Sequence, residues 1–180
     1  TELGKRQADT NGRFLSQLGI EHIVASPLDR TRQTAEIINE HLGLEVSFDH
    51  RIKEWDCGDW SGEMWDQVAN KWAEEFNAWQ EDQFHYRGPN CENYPDMIER
   101  VAPFLEETLA LDHQRIAVVS HGMIGRVMVG TLLAMTGDHM LSFSQPNDVI
   151  FHLASGGESF IAHHYVRGDG PHPGLPARNW

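Results

Sequence analysis

RIAVVSHGMI, residues 115–124, is the stretch of sequence that decides the fold. Its apolar run of Ile, Ala and Val between polar residues is typical of a buried parallel strand. Gly122 then begins a predicted helix, and His121 lies at the junction. Ligands of open α/β sheets bind beyond the carboxyl ends of the strands, and a helix start offers free N–H groups to an anion. We therefore expect His121 to face a phosphate or carboxylate. For a lone histidine, a structural role at a strand end is the favoured interpretation, and the segments below change that balance.

The remainder of the chain alternates predicted helices with predicted strands. Helices are predicted over residues 2–18, 29–42, 63–80, 96–111 and 122–135, and strands over 20–26, 44–48 and 115–120. This alternation predicts an α/β fold, a three-layer sandwich with a mostly parallel sheet and helices on both faces.

The carboxyl-terminal part of the sequence predicts antiparallel structure. Residues 149–153 and 160–166 flank Ser155-Gly156-Gly157, which is a hairpin signature, and we expect an antiparallel strand at the edge of the sheet. We predict a single domain over residues 1–166, with a helical lid insertion at about 63–95. Residues 167–180, rich in Pro and Gly, are predicted to be an irregular tail.

Composition and charge narrow the class of partner. The 180 residues are 40% hydrophobic and 23% charged, and the net charge of −13 argues against nucleic acid or an anionic membrane as partner. No apolar stretch approaches the ~18–20 residues that span a bilayer, and no signal peptide is visible. Cys57 and Cys91 lack C-x-x-C spacing, so we expect neither a disulfide framework nor a zinc site. A cytoplasmic protein is the expectation.

A second segment, SPLDRTRQTAE at residues 26–36, repeats the meeting of a strand end and a helix start. Arg30 falls in the first helical turn, where a cation opposes the helix dipole, so its placement needs a reason. A guanidinium beside free N–H groups is a good phosphate receptor, and we expect Arg30 to bind phosphate. Arg32 is expected to be a solvated residue on the helix face.

A third segment, RIKEWDCGDWSGE at residues 51–63, is a predicted loop with two glycines and two tryptophans around carboxylates. Glu54 is the candidate general acid, with its carboxyl kept protonated by a desolvated site that faces phosphate. The alternative is a surface loop whose acids are merely solvated, and this is what we expect of Asp56, Asp59 and Glu63.

These segments resemble the histidine phosphatase superfamily, the phosphoglycerate-mutase-like proteins. Residues 1–8 are similar to its L-T-x-x-G-x-x-Q-A helix start, and residues 26–35 to S-x-L-x-R-[AT]-x-Q-T-A. Residues 54–62 are similar to E-x-x-x-G-x-W-x-G, and residues 118–122 to V-V-S-H-G. All four segments occur in the order that the family has, so the resemblance is specific.

The resemblance implies phosphoryl transfer through a phosphohistidine, with no metal and no cofactor. By motif position, Arg30 binds phosphate with the backbone N–H of Gly122, Glu54 protonates the leaving alcohol, and His121 is the second histidine of the pocket. The expectation is a phosphatase acting on a small phosphorylated metabolite. The alternatives are phosphotransfer of the phosphoglycerate mutase type, or an inactive family member that binds phosphorylated ligands or a protein partner.

Two departures from the family pattern accompany the matches. The family's nucleophile lies in an Arg-His-Gly tripeptide on its first strand, and no such tripeptide occurs in residues 1–180. The resemblance therefore implies a nucleophilic histidine, together with a central strand, upstream of residue 1. The family's G-G-E-S motif is represented only by residues 90–93, where Glu92 is retained as a carboxylate at a helix start.

The predicted insertion contains an aromatic stripe. Trp65, Trp72 and Trp79 recur every seven residues and share one face of a helix. The stripe either packs on the domain, or forms a lid or the face of a homodimer. Lys71 and Arg87 are the only basic residues of the 63–95 insertion, which favours phosphatase over mutase, because the family's mutases carry more basic residues there.

Two pairs of adjacent residues are expected to have no metal-binding or catalytic role as pairs. His163 and His164 are neighbours on a predicted strand and point to opposite faces, so we expect no metal site there. Ser120 and His121 diverge for the same reason and should form no catalytic dyad.

Overall fold

The computed structural model describes residues 1–157 and 159–177. The helices within these ranges are α1 (Glu2–Leu15), α2 (Asp29–Leu42), α3 (Trp65–Lys71), α4 (Ala73–Glu81), α5 (Tyr94–Leu109), α6 (Gly122–Leu132) and α7 (Gly137–Leu141). The strands are β1 (His22–Ala25), β2 (Val46–Phe48), β3 (Ile116–Val119), β4 (Val149–Ser155), β5 (Phe160–Val166) and β6 (Asp169–Pro173). No helix in the described ranges is both long and apolar enough to cross a membrane.

The predicted parallel sheet is present, with strand order β2-β1-β3. Ala25, at the end of β1, is in register with Phe48 of β2 and Val119 of β3. The Ser26 N–H donates to Val119 O across 2.9 Å, which extends the pairing one residue beyond β1. The carboxyl ends of β1 and β3 therefore lie side by side, and this edge is where the candidate side chains were expected to meet.

Hydrophobic clusters cover both faces of this sheet and confirm the α/β sandwich. On one face, α1 and α2 enclose Ile23, Ala35 and Ile38. On the other face, α5 and α6 enclose Met97 and Ile124, both fully buried. Burying a side chain of this size stabilises a fold by roughly 1.5–3 kcal/mol, so the two clusters hold the helices firmly against the strands.

Local signals explain where two of the helices begin and end. Helix α2 has the predicted bounds because Gly43 adopts the left-handed conformation, with φ of 65°, and its N–H caps Asn39 O. Helix α5 begins in a capping box, in which the side chains of Asn93 and Asp96 each accept from the other's backbone N–H. Asn93 therefore takes the capping role, and Glu92 lies one residue before this N-cap.

The single helix predicted over residues 63–80 is wrong, because it divides at Trp72 into α3 and α4. Trp72 has φ of −129° and ψ of 54°, outside the helical region. On one straight helix, Trp65 and Trp79 would be separated by about 21 Å along the axis. Their rings instead stack with centroids 5.2 Å apart, which the break at Trp72 makes possible.

The predicted hairpin of β4 and β5 is present, but it does not join the parallel sheet. It pairs with β6 in a separate antiparallel sheet of order β4-β5-β6. The irregular tail predicted for residues 167–180 is therefore wrong for β6, whereas residues 178–180 lie outside the described ranges. A tight turn explains β6, since Arg167 and Gly168 have φ of 54° and 83° and join Val166 to its partner Asp169.

Candidate active site

His121 lies at the carboxyl end of β3 and is the N-cap residue of α6, as predicted. It is only 9% exposed, and both of its ring nitrogens have partners. Arg30 Nε donates to Nδ1 across 3.0 Å, and Nε2 lies 2.8 Å from Ser26 Oγ. Because a guanidinium can only donate, Nδ1 must be the acceptor, so in the neutral ring Nε2 carries the proton and donates to Ser26.

Arg30 reaches His121 from the first turn of α2. This helix starts directly after β1, so its first turn lies at the carboxyl edge of the sheet. The contact with His121 uses Nε, and both Nη groups are without an acceptor among the residues that the structure describes. We name Ser26, Arg30 and His121 the His121 cluster. The structure brings Arg30 and His121 together as the sequence predicted.

The electrostatics of the His121 cluster favour a neutral imidazole. Burial lowers the pKa of His121 to about 4, and the positive charge of Arg30 adds to this effect, while Glu54 partly opposes it. The ring is therefore uncharged near neutral pH, with Arg30 supplying the positive charge. An anion bound beside them would favour protonation of the ring and so strengthen its own binding.

Glu54 lies against the N-terminus of α6, where it binds the second and third residues after His121. Its Oε1 accepts from the N–H groups of Trp55 and Ile124 at 3.0 and 3.1 Å, and its Oε2 accepts from Met123 N–H at 3.4 Å. The carboxyl thus takes two of the helix N–H groups that we expected to be open to a phosphate. It is fixed close to His121, where a leaving oxygen could reach it.

Gly122, the first residue of α6, is open on the side that a side chain would occupy. A Cβ built on Gly122 would meet no atom within 4 Å. Its N–H has no acceptor among the residues that the structure describes. Space and a donor are therefore present next to His121, where the sequence analysis placed a phosphate.

Two serines contribute to the site in ways that the sequence did not predict. Ser26 is fully buried and fixes the His121 ring through Oγ. Ser120 donates through Oγ to Ile52 O across 2.8 Å, which ties the end of β3 to the loop that carries Glu54. Ser120 and His121 thus have separate partners, as expected. The signal for Ser26 was its position at the carboxyl end of a predicted strand.

The predicted aromatic stripe becomes part of a larger cluster beside Glu54. The rings of Trp55, Trp65 and Trp79 lie nearly parallel, and Trp60 meets Trp55 edge-on. Trp72 lies apart from this stack and packs against the core on the α5 side. Packing on the domain is therefore observed for most of the stripe, but Trp65 remains 51% exposed.

The histidines of the antiparallel sheet face in different directions. His163 lies opposite His152, with ring centroids 6.4 Å apart, and His164 lies beside His172 at 5.2 Å. Across the described part of the chain, no group of three or more His, Cys, Asp or Glu side chains is arranged to hold a metal ion.

Comparison with known families identifies the class of protein. The sequence profile of the histidine phosphatase superfamily (branch 1) matches residues 1–166. The chain belongs to this family. The expected α/β fold is that of its structural relatives. A mycobacterial glucosyl-3-phosphoglycerate phosphatase solved with inorganic phosphate superposes with a TM-score of 0.80 at 24% identity, covering 94% of this chain and 89% of that one.

Particular relatives include enzymes of two kinds. Phosphoserine phosphatase 1 of Hydrogenobacter thermophilus is 36% identical over 148 residues, covering 82% of this chain and 70% of the relative. A probable phosphoglycerate mutase of Erwinia tasmaniensis is 35% identical over 136 residues, covering 75% of this chain and 63% of the relative. The chain thus spans roughly two thirds of the length of these relatives, which are named as a phosphatase and a probable mutase.

Proposed function

We propose that the protein is a metal-independent phosphomonoester phosphatase that acts through a phosphohistidine intermediate. The observation that carries this proposal is the hydrogen bond from Arg30 to His121 beside the open N–H of Gly122. Arg30, His121 and the Gly122 N–H lie together at the carboxyl edge of the sheet, and Glu54 binds the same helix N-terminus. Donors grouped in this way stabilise the charge of a transferring phosphoryl group.

Each residue has a distinct part in the proposed reaction. The nucleophile is the histidine that the family resemblance predicts upstream of residue 1, and its nitrogen forms the new bond to phosphorus. Arg30 and the Gly122 N–H bind the non-bridging oxygens. The bound anion favours protonation of His121 at Nδ1, in place of the bond from Arg30, and the charged ring then stabilises the developing charge. As the bond from phosphorus to the leaving oxygen breaks, Glu54 gives that oxygen its proton. Glu54 then removes a proton from the water that hydrolyses the phosphohistidine.

The proposed substrate is a small phosphorylated metabolite rather than a nucleic acid or a membrane lipid. The net charge of −13 disfavours large anionic partners, and the cationic groups of the site are few and local. The free thiols of Cys57 and Cys91 are consistent with the cytoplasmic setting that we propose. A homodimer is also part of this proposal.

Hydrolysis of p-nitrophenyl phosphate by the full-length gene product, with a chelator present, tests the proposal. We expect turnover without added metal and an acid-labile phosphoenzyme. His121→Ala should lower kcat/KM by about 10²–10³-fold, because it removes stabilisation of the transition state. His163→Ala, a histidine on β5, is the matched control and should retain activity. Turnover that needs a metal and survives His121→Ala would contradict the proposal.

Phosphotransfer of the mutase type is the second candidate, because the Erwinia tasmaniensis relative carries that name. The two reactions differ in the final acceptor of the phosphoryl group, which is water in one and a second alcohol in the other. Incubation with 3-phosphoglycerate, followed by phosphorus NMR, separates them. We expect inorganic phosphate to accumulate; conversion to 2-phosphoglycerate without net release of phosphate would favour the mutase.

A further inference from the structure

Two residues outside the proposed site hold the loop that carries Glu54. Arg100 projects from α5 and makes a two-pronged ion pair with Glu92, with Nε to Oε1 and Nη2 to Oε2 both at 2.7 Å. The two side chains are only 22% and 21% exposed. Paired, parallel hydrogen bonds of this kind fix the orientation of both groups as well as attracting them.

Arg100 also binds the loop directly on the amino-terminal side of Glu54. Its Nη1 donates to the carbonyl oxygens of Arg51 and Lys53 at 2.7 and 3.0 Å. One guanidinium therefore holds the residue immediately before Glu54. A lysine could not make all four of these bonds, because an ammonium group has three donors and lacks the planar fork.

Glu92 binds the same loop on the carboxyl-terminal side of Glu54. Its Oε2 accepts from Asp56 N–H at 3.0 Å, and its backbone N–H donates to Asp56 O at 2.9 Å. Its carbonyl oxygen accepts from the Trp55 indole at 2.6 Å. The two residues that follow Glu54 are thus attached to Glu92, which is itself attached to Arg100.

We propose that Arg100 and Glu92 are positioning residues that fix the Glu54 carboxyl for proton transfer, an inference that rests on the function proposed above. Proton transfer requires the donor within hydrogen-bond reach of the leaving oxygen, so the position of the loop bears directly on what Glu54 can do. Together Arg100 and Glu92 hold residues 51–56 from both sides. Neither residue is in contact with His121 or Arg30, so the effect of both on the reaction passes through Glu54.

The test compares substrates whose leaving groups differ in their need for a proton. An alkyl phosphate such as β-glycerol phosphate releases a strongly basic alkoxide, whereas p-nitrophenyl phosphate releases a stable phenolate. Glu54→Gln, the reference variant, should lower kcat for the alkyl substrate by about 10²-fold or more and affect p-nitrophenyl phosphate far less. Arg100→Lys and Glu92→Gln should show the same selectivity, with about a tenfold loss on the alkyl substrate and less than about threefold on the aryl one.

The matched control is Arg126→Lys on α6. Arg126 is also a partly buried arginine, which donates to Phe143 O at 3.1 Å and to the Tyr94 hydroxyl at 2.8 Å, neither of which belongs to residues 51–56. We expect it to affect both substrates equally. Equal losses on the two substrates in Arg100→Lys, or no loss at all, would overturn the inference, since a merely structural role predicts no dependence on the leaving group.

Hydrogen exchange measured by mass spectrometry tests the inference without using activity. Arg100→Lys should accelerate exchange in peptides covering residues 51–57 while Arg126→Lys leaves them unchanged. If Glu54→Gln slows both substrates equally, the proton donor of the proposed function is wrong. In that case hydrogen exchange alone tests whether Arg100 and Glu92 hold the loop. An unchanged exchange rate for residues 51–57 in Arg100→Lys would refute it.

Discussion

Arg30 and His121 come from different segments of the chain and meet through one hydrogen bond of 3.0 Å between Nε and Nδ1. This bond joins the start of α2 to the end of β3, across the edge where the two parallel strands finish. The bond also makes the acid–base state of the histidine depend on the arginine.

Removal of the charge on Arg30 should therefore raise the pKa of His121. Burial would still hold it below its ordinary value of 6.5, but the contribution from Arg30 would be lost. In Arg30→Met we expect the NMR titration of the His121 ring to shift upward from about 4. Arg32→Met is the control on the same helix and should leave the His121 titration unchanged. Arg32 donates to Pro27 O and lies over the Phe48 ring, so its partners do not include His121. An unchanged His121 titration in Arg30→Met would contradict this account.

Stability should fall on acidification through the buried His121. Its pKa in the folded protein is about 4, below its ordinary value of 6.5, so between these values the unfolded chain binds the extra proton. The free energy of unfolding should therefore decrease as the pH falls from about 6.5 to about 4, by up to about 3 kcal/mol from this group. Urea unfolding across this range, compared with His121→Gln, isolates the effect. A variant with the same pH dependence as the wild type would exclude His121 as its source.

Close packing of α1 on α2 should make Gly12 intolerant of a side chain. A Cβ at Gly12 would lie 2.6 Å from His41 Cδ2 and 3.0 Å from Ile38 Cα. Gly12→Ala should therefore lower stability by about 1–3 kcal/mol through overpacking, although alanine is the better helix former by about 1 kcal/mol. Gly4→Ala in the same helix meets only Thr1 Oγ1, at 3.3 Å, and should be neutral or stabilising. Thermal unfolding of both variants measures the difference in stability. Equal melting temperatures for Gly12→Ala and Gly4→Ala would contradict the prediction.

The exposed side of Trp65 should influence which leaving group is preferred, because the aromatic cluster lies beside Glu54. Trp65 stacks on Trp55, the residue after Glu54, with ring centroids 6.3 Å apart. We expect Trp65→Ala to raise KM for bulky aryl phosphates several-fold relative to small alkyl phosphates, through loss of stacking. Trp72→Ala is the matched control, because Trp72 lies outside the stack, and it should leave the substrate preference unchanged. An unchanged substrate preference in Trp65→Ala would show that the cluster is structural only.

The position of the site could be predicted from sequence because few topologies were possible. Two strands that each run directly into a helix place their ends at one edge of a parallel sheet, and this brought Arg30 and His121 together. The length of α2 could also be predicted, because Gly43 ends it with a conformation that glycine adopts readily.

Features that depend on distant contacts were not predictable. The break at Trp72 allows tryptophans 14 positions apart in sequence to stack, and no local signal marks it. Strand β6 follows a turn at Arg167, a residue type that seldom adopts positive φ. The bonds from Arg100 to residues 51 and 53 join segments almost 50 positions apart. The residue pattern within either segment gives no sign of these bonds.

The stacked rings of Trp55, Trp65 and Trp79 have a spectroscopic consequence. They lie nearly parallel, with centroids 5.2 to 6.4 Å apart, and they come from the Glu54 loop, α3 and α4. Near-ultraviolet circular dichroism depends on fixed aromatic packing of this kind. The protein therefore carries an intrinsic optical signal that reports whether α3 and α4 are folded back against the loop of Glu54.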